Sequence, residues 1–189
     1  MNHNIVVNYK HVRIRPLVEE DIEKLRIWRN DSNLNEYLRK IDNITTEAQI
    51  AWWKNDCKDE TVATFAIDEV ESLNRIVGSV SIYNIRSHTA EIGRIVVGDH
   101  EAKGKKIGYF ALLMAMYAGY QRLDIKEYYG EVHEDNKPAY INDMRAGFIV
   151  TGKHPYESGG YELEMILPKD HFCKVHDFLD NFMIGDADK

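Results

Sequence analysis

Residues 89–120, TAEIGRIVVGDHEAKGKKIGYFALLMAMYAGY, are the most informative part of the sequence, because a β-rich run, a lysine-rich turn and an apolar run follow one another there. Residues 89–97 predict a strand. Residues 104–122 predict a helix that is apolar on nearly every side and is therefore buried between layers. Three lysines and two glycines lie where this helix begins. Helix N-termini present unpaired N–H groups, so the turn suits a pyrophosphate, with a solvated basic turn as the alternative.

The rest of the chain adds strands and helices on both sides of this stretch. Further strands are predicted at residues 11–15, 61–68, 75–85, 127–134, 148–151 and 161–167. Further helices are predicted at residues 18–30, from 46, at 136–146 and from 168. This order predicts an α+β (mixed α/β) fold, in which a central, twisted, mostly antiparallel sheet of about seven strands carries helices on both faces. No repeat or linker divides the sequence, so a single domain is expected over residues 1–189.

Two of these helices carry more detailed signals. Thr46 and Gln49 have the spacing of a capping box at the start of the second helix. The last helix is expected to begin at Pro168 and to bury one apolar face. That face consists of Phe172, Val175, Leu179 and Phe182.

Composition and charge exclude several classes of protein. Hydrophobic residues make up 44% and charged residues 29% of the chain, and the formal net charge is -7, which argues against a nucleic-acid partner. The two cysteines favour a reducing compartment, and residues 107–120 are too short an uncharged stretch to span a bilayer, so a cytoplasmic protein without a membrane partner is expected. His171, Cys173 and His176 lack further ligands nearby, so no metal is expected.

Two motifs in the second half of the chain carry a family resemblance. The first is Lys103-x-x-Lys106-x-Gly108 at the end of the predicted strand. The second is Asn136-x-x-Ala139 followed by a helix that ends in Gly147-Phe148. Together with the order of strands and helices, they resemble the GNAT superfamily of acetyl-CoA-dependent N-acetyltransferases. The family's pyrophosphate loop reads Gln/Arg-x-x-Gly-x-Gly/Ala, so Lys103 and Lys106 depart from it while keeping positive charge.

The resemblance implies a cosubstrate site for acetyl-CoA. The backbone of Ile95, Val96 and Val97 would pair with the pantetheine arm. The pyrophosphate loop would comprise Lys103, Gly104, Lys105, Lys106, Ile107, Gly108 and Tyr109. The helix after the next strand would face the cosubstrate with Asn136, Ala139, Tyr140 and Asp143. Asn136 also fits a plain helix N-cap, and both roles are compatible.

The amine must lose a proton before it attacks the thioester, which requires a base. Glu91 is the first candidate because it lies six residues before Val97, the register that the resemblance implies for a base glutamate. Unbroken alternation puts Glu91 on one face with Ile95 and Val97, but a β-bulge, which the family carries there, would re-aim part of the strand. His133 is the second candidate. A surface carboxylate and a structural histidine are the alternatives.

The acid that protonates the departing thiolate is left unassigned. Asp143 occupies the position, seven residues after Asn136, at which many family members have a tyrosine. An ionised aspartate cannot donate a proton. Tyr140 lies about one turn earlier and is a substitute through water.

The first two helices resemble the acceptor-binding region of two branches of the family. One branch acetylates amino-sugar nucleotides and the other acetylates the N-termini of ribosomal proteins. Trp28 and Trp52 can stack on a ring and Arg29 can bind a phosphate, whereas inward packing of Trp28 and helix capping by Arg29 are the alternatives. We expect a small-molecule amine, with an amino-sugar nucleotide as first candidate. A peptide N-terminus, a non-catalytic acyl-CoA-binding module and a homodimer are left open.

Overall fold

The computed structural model describes residues 1, 3–32, 34, 43–157 and 159–187, which form nine strands and five α-helices. The strands are β1 (Ile5–Tyr9), β2 (Val12–Pro16), β3 (Ala63–Glu69), β4 (Arg75–Arg86), β5 (Thr89–Val97), β6 (Glu127–His133), β7 (Ile149–Pro155), β8 (Tyr161–Pro168) and β9 (Met183–Asp186). The helices are α1 (Ile22–Asn30), α2 (Thr46–Asp56), α3 (Ile107–Arg122), α4 (Lys137–Ala146) and α5 (Lys169–Val175). The expected α+β fold with a mixed sheet is confirmed.

All nine strands join one sheet in the order β7-β8-β6-β5-β4-β3-β2-β1-β9. Neighbouring strands are antiparallel except β5 and β6, as expected for a mostly antiparallel sheet. The prediction of about seven strands missed β1 and β9. In β1 the odd-numbered residues are buried and the even-numbered residues are half-buried. The four residues of β9 become a strand by pairing with β1, as in the pair Val7↔Ile184.

Helices cover both faces of the sheet. Nearly the whole of α3 is buried, because its apolar side chains pack against the middle strands in one continuous core. On the opposite face, α1 and α2 contact each other and enclose a cavity with β3, β4 and β5. The expected helix from residue 104 starts at Ile107 instead, because Gly104 and Lys106 have left-handed φ angles of 79° and 59°. No helix in the described ranges is both long and apolar enough to cross a membrane. The cytoplasmic location stays a prediction.

Two predicted helix ends differ from the structure. Thr45, not Thr46, caps α2, and its hydroxyl accepts a hydrogen bond of 3.2 Å from Ala48 N. The last helix ends at Val175, which is 45% exposed, and residues 179–181 form a separate 3-10 turn before β9. The other three apolar residues of the expected face are buried: Phe172, Leu179 and Phe182. These three residues have the spacing of a helix face because they are buried in the same core, although α5 itself ends at Val175.

Strands β5 and β6 separate along their length. They pair in parallel from Thr89↔Glu127 to Glu91↔Tyr129, and no pair joins them beyond that point. The second half of β5, residues 92–97, therefore pairs with β4 on one side, while no described strand pairs with its other side. Helix α3 follows the end of β5 and α4 follows the end of β6, so both helix N-termini lie at the open end of the gap.

Candidate active site

A β-bulge in β5 sets the direction of the side chains beside the gap. The register with β4 shifts between Ser79↔Val96 and Ser81↔Gly93, and Arg94 has a left-handed φ of 53°. Because the bulge contains an extra residue, Glu91, Gly93 and Val96 lie on one face. Ile95 and Val97 lie on the α3 face. The expectation that Glu91 shares a face with Ile95 and Val97 is therefore corrected, as a bulge would require.

The loop before α3 is held by side chains of other elements. Arg75 of β4 binds Asp99 at 2.8 Å and also pairs with Glu101. Lys105 Nζ donates to Ser72 Oγ at 2.7 Å, and His11 Nε2 donates to the Lys105 carbonyl at 3.0 Å. These ties fix the loop before a helix N-terminus, which lowers the entropy that an anion must overcome on binding.

The first turn of α3 has the features of an anion site. Lys106 takes the N-cap position without a side-chain cap, and its carbonyl accepts a hydrogen bond of 3.0 Å from Phe110 N. The backbone N–H groups before Phe110 lie in the part of a helix that has no intrahelical partner. A Cβ atom at Gly108 would lie 3.5 Å from Val97 Cγ2, an ordinary contact distance, so this turn of α3 packs on β5. The residues at this end of the gap fit a pyrophosphate followed by an extended pantetheine arm.

Helix α4 borders the other side of the gap. Asn136 caps it through Oδ1, which accepts from Ala139 N at 3.2 Å, so the expected N-cap is present. The cap uses the carboxamide oxygen, and the Nδ2 group is a separate donor. Ala139 and Tyr140 pack against the core. Tyr109 OH donates to the Arg145 carbonyl at 3.4 Å, which links the first turn of α3 to α4.

Asp143 differs in charge from what the sequence suggests. It is partly buried on α4, one turn from Ala139, Tyr140 and Ala146, which pack against or within the core. Burial raises the pKa of Asp143 to about 7. The expectation of a fully ionised aspartate is therefore corrected, because near neutral pH a large fraction of the carboxyl carries a proton that it can donate.

Glu91 lies among polar and aromatic side chains on the face opposite α3. Asn84 Nδ2 donates a hydrogen bond of 2.6 Å to Glu91 Oε1. In the register, Tyr83 of β4 and Tyr129 of β6 are its cross-strand neighbours. Burial, and then the charge of Glu91, raises the pKa of Tyr83 to about 12, so this phenol is neutral. The guanidinium of Arg94 lies 4.0 Å from the centre of the Tyr83 ring.

His133, the second base candidate, has both ring nitrogens engaged. Its Nδ1 accepts from Asp135 N at 3.2 Å, and its Nε2 lies 3.0 Å from the Gly159 carbonyl. The ring also packs edge-on against Tyr156 at 5.3 Å. These contacts connect the end of β6 to the β7–β8 turn, and they occupy the lone pair that a base needs.

A cavity of about 510 Å³ lies between α1, α2 and the face of the sheet that carries Glu91. Its lining is polar on the sheet side and mixed on the helix side, and it consists of Leu25, Arg29, Asn43, Ile44, Ala48, Gln49, Trp52, Thr64, Ser79, Ser81, Arg94 and Val96. On its floor the hydroxyls of Thr64 and Ser81 lie 3.1 Å apart. Burial, and then the charge of Arg94, lowers the pKa of Arg29. Glu91 does not line the cavity. It lies on the same face of β5 as the lining residue Val96, two positions before Gly93 in the chain.

Two of the three residues expected to bind the acceptor lie in the cavity wall. Arg29 and Trp52 line the cavity. Trp28 instead packs on Gly98, where a Cβ atom would come within 2.1 Å of its ring. The sequence reading missed Thr64, Ser79, Ser81, Arg94 and Asn84. A signal was present for two of them, because Ser79 and Ser81 alternate with buried Val80 and Ile82 along β4.

Two of the side chains weighed as zinc ligands, His176 and Cys173, differ in their surroundings. His176 is buried, and its Nε2 lies 3.0 Å from the Ala146 carbonyl. Its ring packs against Phe172 and Phe178. Cys173 is exposed. These contacts give His176 a structural role in joining α5 to the end of α4.

Comparison with known proteins agrees with this geometry. A family model for the acetyltransferase (GNAT) domain matches residues 11–148. The N-acetyltransferase 9-like protein of Caenorhabditis briggsae is 23% identical over 178 residues, covering 89% of this chain and 88% of that protein. The structure of spermidine N-acetyltransferase from Vibrio cholerae, in complex with CoA and spermine, has a TM-score of 0.76 at 16% identity, covering 86% of this chain and 98% of that one.

A second solved structure is similar to the same extent. Ribosomal-protein-S5-alanine acetyltransferase from Vibrio fischeri has a TM-score of 0.73 at 17% identity, covering 88% of this chain and 98% of that one. The similarity to these two structures concerns the fold. The family model spans most of the chain and includes the bulged strand β5, helix α4 and the loop that precedes α3. The chain therefore belongs to the GNAT family of acetyltransferases and is an acetyl-CoA-dependent N-acetyltransferase.

Proposed function

We propose that the chain is a single acetyltransferase domain that acetylates the primary amine of a small molecule carrying an anionic group, with an amino-sugar nucleotide as the first candidate. The observation that carries this proposal is the charge of the cavity. Among its described lining residues are two arginines, Arg29 and Arg94, and no carboxylate. Such a lining favours an acceptor with a phosphate or carboxylate and disfavours a polyamine such as spermidine.

The cosubstrate fits the gap between β5 and β6. When bound, acetyl-CoA supplies a thioester whose carbonyl carbon the amine attacks, and the C–S bond then breaks to release a thiolate. The N–H groups at the start of α3 and the charges of the loop, including Lys103 and Lys106, would hold the pyrophosphate. The backbone of Ile95, Val96 and Val97 would align the pantetheine arm, and a backbone N–H of Val96 or Val97 would stabilise the oxyanion.

Glu91 is the proposed base. It lies on the acceptor side of the sheet, close to the point where β5 loses its second partner strand. Its carboxylate accepts the proton of the acceptor's ammonium group, directly or through one water, and the neutral amine then attacks. Asp143 is the proposed donor to the departing thiolate, because a partly buried carboxyl with a pKa of about 7 is protonated in part at neutral pH. The nitrogen loses its second proton to water as the C–S bond breaks, Glu91 passes its proton on to solvent and Asp143 regains one from solvent, so each turnover releases one net proton.

A thiol-release assay with acetyl-CoA tests the acceptor class. Three amines are compared: an amino-sugar nucleotide, a peptide with a free N-terminus, and spermidine. We expect the highest kcat/KM with the nucleotide. Arg94→Asn, a residue type that tolerates the left-handed backbone at this position, should raise KM for the nucleotide roughly tenfold and leave KM for acetyl-CoA unchanged.

The other outcomes assign the alternatives. Preference for the peptide would identify a protein N-terminal acetyltransferase of the ribosomal-protein type. Coenzyme A binding without turnover of any amine would identify a non-catalytic acyl-CoA-binding module. Sedimentation of the same sample measures whether the chain forms a homodimer.

A further inference from the structure

We propose that Asn84 is a positioning residue that orients the carboxylate of Glu91 for proton abstraction. The inference rests on the proposed role of Glu91 as base. Asn84 belongs to β4 and lies seven residues before Glu91 in the chain, on the other strand of the β4–β5 hairpin. Three features support it: an irregular backbone at Asn84, a short side-chain hydrogen bond, and the neighbours that confine Glu91.

The backbone of β4 is irregular at Asn84. The register shifts between Tyr83↔Glu91 and Arg86↔Thr89, so β4 has one residue more than β5 in this interval. Asn84 has a left-handed φ of 50°. In a regular strand residue 84 would point away from the face of Tyr83 and Glu91, because successive side chains alternate. The irregularity therefore explains how the Asn84 side chain reaches the face on which Glu91 lies.

Asparagine combines the two properties that this position needs. It adopts the left-handed conformation more readily than other non-glycine residues. Its carboxamide also supplies a donor, and Nδ2 lies 2.6 Å from Glu91 Oε1. Glycine would allow the left-handed φ but has no donor, and most other residues would provide neither the conformation nor the donor. A carboxylate has about four lone-pair sites, so this bond leaves capacity to accept a proton from the amine.

Two tyrosines flank Glu91, and the Tyr83 hydroxyl also hydrogen-bonds the Glu91 carboxylate. Tyr83 and Tyr129 are its cross-strand neighbours on the two sides. The charged or titratable groups near this cluster are Tyr83, Arg86, Arg94, Tyr129 and Glu131. A glutamate side chain on a strand surface otherwise samples several rotamers, and misorientation of a base by about 1 Å can slow a reaction by roughly two orders of magnitude.

The Asn84→Gly variant tests the role of the side chain separately from that of the backbone conformation. The variant keeps the left-handed φ at low energetic penalty and removes the donor. With the amine of highest turnover among the nucleotide, peptide and spermidine, we expect kcat to fall roughly tenfold at pH 7, and KM for acetyl-CoA and the Tm to stay unchanged. Ser87→Gly is the matched control, since Ser87 also has a left-handed φ, of 53°, in the same hairpin. It should keep the wild-type kcat.

A pH profile and a double variant distinguish positioning from general damage. The loss in Asn84→Gly should shrink at high pH, where more of the amine is already neutral. Adding Asn84→Gly to Glu91→Gln should cause little further loss, because the two residues act as one unit. Asn84→Asp, which tolerates the backbone but repels Glu91, should be at least as slow as Asn84→Gly.

Different results would overturn the inference and the proposed function separately. Wild-type kcat in Asn84→Gly, or equal losses with and without Glu91→Gln, would refute the positioning role while the acetyltransferase assignment survives. A Glu91→Gln variant with the wild-type rate would refute the base assignment and the positioning role together. Absence of turnover in the wild-type chain with all three amines would refute the proposed function itself.

Discussion

The carbonyl of Val96 approaches Gly78 so closely that a Cβ atom at Gly78 would lie 2.1 Å from the Val96 oxygen. Both residues lie at the bulged part of the β4–β5 pair, where Gly78 is opposite Val97. Because the obstructing atom belongs to the backbone, no rotamer change relieves the overlap. We expect Gly78→Ala to destabilise the fold by about 1–3 kcal/mol and to weaken coenzyme A binding by displacing β5.

Urea unfolding and a coenzyme A titration measure the two effects of Gly78→Ala. Gly185→Ala is the control, because a Cβ atom at Gly185 meets no other atom within 4 Å. The control should bind coenzyme A with wild-type affinity. A Gly78→Ala variant that unfolds at the wild-type urea midpoint would contradict the close approach of the two strands.

Gly108 tests the anion site at the start of α3. Coenzyme A binding should raise the Tm of the wild-type chain, with a stabilisation of about 2.7 kcal/mol at one hundred times Kd. Gly108→Asp places a negative charge at the helix N-terminus and should remove most of this shift. Gly108→Asn has a similar volume and no charge, so it should keep a larger part of the shift. Equal shifts in wild type and Gly108→Asp would place the pyrophosphate elsewhere, and Gly185→Asp controls for net charge.

Glu91→Gln keeps the shape of the proposed base but cannot accept the proton. We expect kcat to fall roughly 100-fold at pH 7, with unchanged affinity for acetyl-CoA. The loss should decrease as the pH approaches the pKa of the alkylamine, about 10, since less proton abstraction is then required. Glu164→Gln, on β8, is the control and should be fully active. Full activity in Glu91→Gln would redirect attention to His133.

Asp143 should make stability depend on pH. Burial raises its pKa to about 7 in the native state, whereas the unfolded value is about 3.9. The native state therefore binds a proton that the unfolded state lacks between these pH values. The stabilisation from this proton is complete below the unfolded pKa and is lost as the pH rises through the native pKa. Asp143→Asn removes the titration, so its Tm relative to wild type should increase from pH 5 to pH 8.

Thermal unfolding at the two pH values checks this prediction. Asp170→Asn is the control because Asp170 is exposed at the start of α5, where its carboxylate stays in contact with water. Its Tm difference from wild type should be the same at both pH values. A constant difference for Asp143→Asn as well would mean that the Asp143 carboxyl is ionised at pH 5 in the folded chain.

Local signals in the sequence predicted the elements around the cosubstrate site. The bounds of β5 agree with the prediction, and α4 ends at Ala146 before Gly147, whose φ is 98°. Such features depend on residues close together in sequence: β-branched runs, a capping asparagine and a glycine at a helix end. Local features of this kind did not predict all of the residues on the acceptor side of the sheet. Ser79 and Ser81 had a signal in their alternation with apolar residues, but Asn84 reaches the site through an irregularity of β4 that composition does not reveal.

The ionisation of Asp143 was also beyond the sequence. The residue type alone suggests an ionised carboxylate, and its raised pKa comes from burial of the side chain on α4. Likewise, the spacing of Phe172, Leu179 and Phe182 suggested one long helix, although a helix, a 3-10 turn and the segment before β9 supply these residues. Both errors have the same cause, because three-dimensional packing decides which side chains lose contact with water.

The two outer strands of the sheet limit how copies of this chain can aggregate. At one end, β7 is irregular between Val150 and Gly152, carries Lys153 and finishes in Pro155, three features that hinder the addition of a further strand. At the other end, β9 has only four residues. Intermolecular sheet extension, the first step towards cross-β fibrils, therefore has no long regular edge to use at either end.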